Sequence, residues 1–447
     1  MEKLAILGGP KTVTASPEDV TELLRWPIIT KEAEDDALAV LRAGSMSDTD
    51  ITCQFENEFA AWQGLRHAIG YCNGTMALQA AMFACGLGSG DELICPSLTY
   101  WASAAQVFSL GGTVVFADVE PRSLCIDPEA LERCISPRTK AIMVVHYMSH
   151  PADMDAIMAV ARKHGLLVIE DVSHAQGGLY KGRKLGTIGH VAAMSLMSGK
   201  SFAIGEGGIL ATDDRTLYDR AIAFAHYERN KPDIIQTAEL LPYTGLPLGG
   251  VKGRMHQVSA AVGRSQLRLY DSRTAEIRKA MNYFWDLLKD VPGVRAHRVD
   301  EASGSNMAGW YRPLGFYEQQ EAAGLSVYRF CEALNAEGVG VGPGCNTPLH
   351  THPMFSEMDI YRHGKPTRVA LASRDVRELD KYLPETERAN ARCYSVPWFK
   401  HYQPELIQQF AQAFIKVSLN YDALLAGDLP QARQAGRWYF YKGKNEK

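Results

Sequence analysis

A chain of 447 residues, 46% hydrophobic and 22% charged, has an ordinary globular composition and length enough for two domains. A formal net charge of −4 and a pI near 6.4 give no electrostatic footing for nucleic acid or an anionic membrane, and no apolar run approaches the roughly 18 residues of a membrane span. The nine cysteines, scattered from Cys53 to Cys393 without a CxxC pair, support neither a metal site nor a disulfide framework, so reduced thiols and a cytoplasmic location are expected.

The first ten residues hold too short an apolar stretch for a secretory signal. From about residue 67 to 215, short β-branched runs alternate with longer amphipathic stretches. Strands are predicted over 92–95, 113–116, 141–145 and 166–169, and helices over 75–85, 128–134 and 154–164. Nearly all-apolar strands alternating with helices predict an α/β fold with a parallel sheet covered on both faces. Right-handed crossovers then bring the carboxyl ends of the strands to one ligand-binding edge. Residues 216–290 read as mainly helical, with a polar loop near 230–250 and a long helix over about 256–288. After Gly293 the order of strands and helices is mixed, and helical periodicity returns over 404–425. The expected division is an N-terminal arm and large domain over 1–270, a smaller C-terminal α/β domain over 271–430, and a solvated basic tail over 431–447.

Four segments carry chemistry. In Val168-Ile-Glu-Asp171 an apolar strand ends in an acidic pair at the ligand edge, where a carboxylate can hold a pyridinium nitrogen protonated or simply cap the next loop. In Ser195-Leu-Met-Ser-Gly-Lys200-Ser-Phe-Ala-Ile-Gly-Glu-Gly-Gly208 a lysine stands between an apolar strand and a Gly-rich stretch. Glycines admit a bulky cofactor, and desolvation makes the amine a nucleophile; alone, the residue reads as a surface lysine, by far the commoner fate, and only the neighbouring motifs overturn that. Tyr71-Cys-Asn-Gly74-Thr75-Met76 opens a helix whose free N–H groups form a phosphate site, or an ordinary cap. Pro96-Ser-Leu-Thr-Tyr100 places an aromatic after a strand, to stack on a ring or pack in the core.

Taken together, Glu-Asp-x-x-His, Lys-x-x-x-x-Gly-Glu-Gly-Gly and Pro-Ser-x-Thr-aromatic resemble the DegT/StrS sugar aminotransferases, from about Leu4 to Tyr270 and weakly on to Ile415. The resemblance implies the fold-type I architecture of enzymes dependent on pyridoxal 5′-phosphate (PLP): a mostly parallel seven-stranded sheet plus a smaller C-terminal domain. It implies a homodimer with shared active sites and transfer of an amino group from glutamate or glutamine to a keto-sugar or keto-cyclitol. Lys200 then carries the cofactor as a Schiff base and shuttles the proton, and Asp171 pairs with the ring nitrogen. Tyr100 takes the ring-stacking position, His174 lies against the cofactor, and Gly74, Thr75, Met76 and Ser195 hold the phosphate. Pro151-Ala-Asp-Met154 matches a further family signature.

Two departures stand out. Lys252 replaces an Asn that the family directs at the partner subunit's phosphate, and a lysine supplies a point charge there. Ser149-His150 replaces the family's Gly-Gln. Tyr227, Arg229, Trp310, Tyr311, His350 and His352 are candidates for an acceptor pocket or for structural duty. Leu4-Ala-Ile-Leu-Gly-Gly-Pro and the Ser-Gly before Lys200 look like the branch acting on keto-cyclitols, with a nucleotide keto-sugar as the alternative. Lysine at position 200 argues against the family's dehydratases, which carry histidine there. A non-catalytic PLP-binding regulator and a PLP decarboxylase or lyase are the remaining readings.

Overall fold

The computed structural model describes residues 2–428; the expected basic tail over 431–447 lies outside them. Seven strands form the large sheet: β1 (His67–Tyr71), β2 (Glu92–Pro96), β3 (Thr113–Ala117), β4 (Thr139–Val145), β5 (Leu167–Asp171), β8 (Val191–Ser195) and β9 (Gly208–Thr212). Their order is β1-β9-β8-β5-β4-β2-β3. Every strand runs parallel to the others except β9, which pairs antiparallel with both β1 and β8. A short hairpin, β6 (Leu179–Tyr180) and β7 (Arg183–Lys184), fills the connection between β5 and β8. The sheet is thus the mostly parallel, seven-stranded one expected.

Strand alternation divides the core into two layers. Ile94, Val115, Ile142, Val144, Val168 and Met194 face Phe55, Phe59 and Ile157 on one side. Leu93, Val114, Met143, Ile169 and Ala193 face the helices Gly74–Ala84 and Arg215–Ala225 on the other. Asn73, Asp127, Asp153 and Asp214 cap the helices that follow them, each accepting a first-turn N–H. These caps start the helices at the sheet edge and fix where the strand–helix turns lie.

A second, antiparallel sheet of β10 (Val294–Ala296), β11 (Leu314–Tyr317) and β12 (Cys393–Ser395) packs with the helices Val327–Ala336 and Pro404–Leu419 around a third core. The helix Gln257–Leu287 spans both regions. Ala260 and Tyr270 join the large-sheet core, and Ile277, Met281 and Phe284 join the third. Gly263 sits where a Cβ would lie 2.9 Å from the Phe55 ring. Between β11 and β12 the chain returns to the far edge of the large sheet. There the fully buried Arg368 donates to Val114 O at 3.0 Å and pairs with Asp380, while Arg374 pairs with Glu92. The N-terminal segment runs the other way: Glu337 accepts from the N–H groups of Ala5 and Thr12, and the Lys400 N–H donates to Leu23 O.

Candidate active site

The carboxyl ends of β5 and β8 converge with the start of the helix Gly74–Ala84. Asp171 ends β5 and is 4% exposed. Its carboxylate accepts from the Ser103 hydroxyl at 2.7 Å and the Ser173 N–H at 3.0 Å, and it forms no ion pair among the described residues. Ser195 ends β8, and its Oγ accepts from the Met197 N–H at 3.3 Å, leaving its hydroxyl proton to donate. Gly74 crosses Ser195 so closely that a Cβ would lie 2.6 Å from the serine Cα and Cβ. A Cβ on Gly208 would meet Asn73 O at 2.3 Å. The cup has no room for side chains at either crossing, which brings Ser195 against the helix N-terminus. Asn73 takes the Met76 N–H at 2.9 Å. By position, the other first-turn N–H groups, those of Gly74 and Thr75 among them, have no intrahelical acceptor and face outward with the positive end of the helix dipole.

Lys200 lies in the turn after β8 and is 8% exposed. Its N–H donates to Met197 O at 2.8 Å, and its carbonyl accepts from the Trp26 indole N–H at 2.8 Å. Its Nζ sits 4.2 Å from the centroid of the Tyr311 ring and pairs with no carboxylate among the described residues. The His174 ring lies 4.7 Å from the same tyrosine. Burial, then the charges of Lys200 and Arg312, hold His174 well below the usual imidazole range, so it is neutral. Its Nδ1 accepts from the Met148 N–H at 3.4 Å, which puts the proton on Nε2.

Tyr100 stands beyond β2, 39% exposed, with its ring 5.0 Å from Trp101. Lys252 is exposed. Its neighbour Gly253 accepts the Cys72 N–H at 2.7 Å, which sets the segment beside the strand leading into the cup. The structure therefore gathers Gly74, Thr75, Met76, Asp171, His174, Ser195 and Lys200 at one edge, with Tyr100 and Lys252 at its rim. Of the acceptor candidates, Tyr311 lies at the lysine. Trp310 is buried, Arg229 pairs with Glu56 at 2.8 Å, and His350 bonds the Ser97 hydroxyl at 2.8 Å. His352 caps Pro353–Ser356, and Tyr227 donates to Glu228 at 3.0 Å.

Sequence reasoning missed the supporting groups. Ser103 and Ser173 hold Asp171. Ser149, one of the two departures, has φ 73, a left-handed conformation that suits the family's glycine better than a serine. Its hydroxyl accepts from the Tyr311 N–H at 2.7 Å and donates to His174 O at 2.5 Å, tying two parts of the site together. The departure itself was the available signal.

A buried carboxylate and a buried amine, close to one edge and each without a charged partner among the described residues, are costly unless a ligand supplies the complement. PLP would supply it: a ring N–H for Asp171, an aldehyde for Lys200, and a phosphate for the N–H groups and hydroxyl of the cup. The residues present fit the group. A profile of the DegT/DnrJ/EryC1/StrS aminotransferase family matches residues 27–415. The chain belongs to this family. It is a PLP-dependent aminotransferase. The L-glutamine:scyllo-inosose aminotransferase of Streptomyces griseus is 34% identical over 93% of this chain and 97% of the relative. The GDP-perosamine synthase of Caulobacter vibrioides is 35% identical over 68% of this chain and 78% of the relative. The crystal structure of DesI in the presence of its TDP-sugar product superposes with a TM-score of 0.75 at 27% identity, covering 95% of this chain and 98% of that one. No described helix is long and apolar enough to cross a membrane.

Proposed function

We propose that this aminotransferase moves an amino group from glutamine or glutamate to the ketone of a cyclitol in two half-reactions. The observation that carries this choice is the near full-length similarity to an L-glutamine:scyllo-inosose aminotransferase. The match to a GDP-perosamine synthase, over a smaller share of both chains, favours a nucleotide-linked keto-sugar as the second reading.

When bound, PLP supplies an electron sink for the carbanion formed at the donor carbon. The remaining work falls to the chain. Asp171, fixed by Ser103 and Ser173, accepts the ring N–H and keeps that proton in place. The N–H groups of Gly74 and Thr75 and the Ser195 hydroxyl take the phosphate. Tyr100 and His174 flank the ring, and Lys252 adds a cation at the rim. Lys200 Nζ anchors the cofactor covalently. Once released by the donor amine, it would take the proton from the donor α-carbon and deliver it to the cofactor carbon that the lysine had held. The buried Tyr311 ring beside Nζ keeps water from that amine.

We also read the active protein as a cytoplasmic homodimer. The helix Lys31–Ala43 and the turn after it expose Leu38, Leu41 and Met46, an apolar strip suited to a second copy. Sizing chromatography with light scattering tests the dimer. The decisive experiment for function loads the enzyme with the amino form of the cofactor and offers inososes and nucleotide-linked keto-sugars in turn, following visible absorbance. Return of the aldehyde form with inososes alone supports the first reading, and return with nucleotide-linked sugars alone overturns it.

A further inference from the structure

Two turns with left-handed backbone meet at the cofactor edge. The turn after β4 carries Met148 at φ 45 and Ser149 at φ 73, and the segment 306–312 carries Ala308, Trp310 and Arg312 at φ 42, 50 and 45. Glycine alone adopts such values freely. Other residues keep them only where the surroundings enforce it, and such positions cluster at functional sites.

Both turns press on residues of the site. The first cradles His174 from three positions. The Tyr147 ring lies 5.8 Å from the imidazole, the Met148 N–H donates to Nδ1 at 3.4 Å, and the Ser149 hydroxyl donates to the His174 carbonyl at 2.5 Å. The second presents the Tyr311 ring to Lys200 Nζ at 4.2 Å, with the His174 ring 4.7 Å from that of Tyr311. It is anchored in turn: the Trp398 indole N–H donates to Gly309 O at 2.8 Å, and a Cβ on Gly309 would lie 2.4 Å from that of Ser201, the residue after Lys200.

One atom joins the two turns. Ser149 Oγ, fully buried, accepts from the Tyr311 N–H at 2.7 Å while giving its only proton to His174 O. An amide can only donate and a carbonyl can only accept, so a hydroxyl between them satisfies both. Glycine at this position would spare the backbone and leave a buried N–H and a buried carbonyl without that partner. Serine bears a conformational cost that glycine avoids, and what it gains is the link between two rings beside the lysine. We propose that Ser149 is a positioning residue for the transfer step, its hydroxyl setting how the His174 and Tyr311 rings stand around Lys200 and the cofactor. The assignment rests on the aminotransferase reading and deepens it. Proton transfer by an amine depends steeply on the placement of the atoms that give and take the proton, so rings free to shift slow the step more than they weaken binding of the donor.

Ser149→Gly and Ser149→Ala separate the hydroxyl from the backbone, because both lose it and only glycine relieves the strain. In the PLP-loaded protein, the limiting rate of the L-glutamine half-reaction should fall about 10- to 100-fold in both variants, while the L-glutamine concentration for half-maximal rate stays within about threefold. The visible circular dichroism of the bound cofactor, which reports its orientation among the surrounding rings, should change alike in both. In the apoprotein, amide hydrogen exchange of the peptide containing Tyr311 should quicken in both. A Ser149→Gly protein that matches wild type in limiting rate and dichroism overturns the proposal, as does a loss confined to Ser149→Ala, which traces to strain. A wild type that binds PLP but converts no amino donor sinks the aminotransferase reading alone. Dichroism and exchange, which need no turnover, then decide the role of Ser149: a change shared by both variants upholds it, and unchanged signals in Ser149→Gly overturn it.

Discussion

The two faces of the last turn of β5 carry adjacent carboxylates in opposite conditions. Glu170 points away from the cofactor edge and is fully buried. It accepts from His146 Nε2 at 2.9 Å and from the N–H groups of Gly186, Ile188 and Gly189. Burial pushes its pKa up, but the His146 contact and the glycine N–H groups outweigh that, and the carboxyl rests below its ordinary value. Asp171, one residue on, has two donors and no cation among the described residues. The closed set fastens the loop after β7 to the sheet; the open set leaves capacity for a ligand. Two acids adjacent in sequence thus differ in the number of donors each has already used, a difference that fits a structural role for Glu170 and the ring-nitrogen role proposed for Asp171.

Substitutions can break this contrast. The largest effect is expected from Lys200→Ala, which removes the proposed nucleophile and proton carrier. Turnover should fall at least ~10⁴-fold, and borohydride should no longer fix the cofactor to the chain, as mass spectrometry of peptides would show. Asp171→Asn should lower kcat/KM roughly 100-fold or more with little change in melting temperature, because it removes half of a buried charge pair formed only with the ligand. Glu170→Gln should do the reverse, costing ~3–5 kcal/mol of stability in urea titrations while the folded fraction keeps its activity.

Acid titration sharpens the same pair. A carboxyl whose pKa is depressed in the folded state stabilises the fold above its ordinary value of 4.5 and loses that contribution as pH falls through the lower, folded value. The stability gap between wild type and Glu170→Gln should therefore be full at pH 6 and narrow below about pH 4.5. Lys400 offers the opposite sign. Burial pushes its amine down to about 8 from 10.5, with its Nζ over the Trp398 ring at 4.0 Å and donating to Leu24 O at 3.2 Å. Holding that charge buried costs stability below pH 8, and the cost fades as pH rises to 10.5. Lys400→Met should stabilise the protein by up to ~3 kcal/mol at pH 7, with no gain left above pH 10.5.

The smallest effect separates strain from bonding at Ser149. Ser149→Ala keeps the left-handed backbone and loses both hydrogen bonds, whereas Ser149→Gly loses the bonds and relieves the strain. The glycine variant should be the more stable by ~1 kcal/mol in thermal melts.

Much of the cofactor edge was legible because its pieces are short and local. A turn that opens a helix at Asn73, an acid that ends a strand at Asp171, and a lysine between a strand and glycines each declare themselves within a few residues. The central strands β2 to β5 were legible for the same reason, as short apolar runs separated by helical periodicity, whereas the full seven-stranded sheet was expected only from the family resemblance. The aromatic wall was not. Trp26, Tyr311 and Trp398 come from three distant parts of the chain, and nothing in their neighbours' spacing announces that they meet at one lysine. The helices at the N-terminus and the left-handed run ending at Arg312 were equally silent, since both depend on contacts with residues hundreds of positions away.

The indole of Trp26 bonds the carbonyl of Lys200, while the chain just before it is gripped by the C-terminal region through Leu23, Leu24 and Lys400. The first thirty residues thus work as a tie-rod between two parts of the protein. Trimming them away, or anchoring a bulky tag within them, should slacken the turn that carries Lys200 without altering any residue of the proposed cofactor edge.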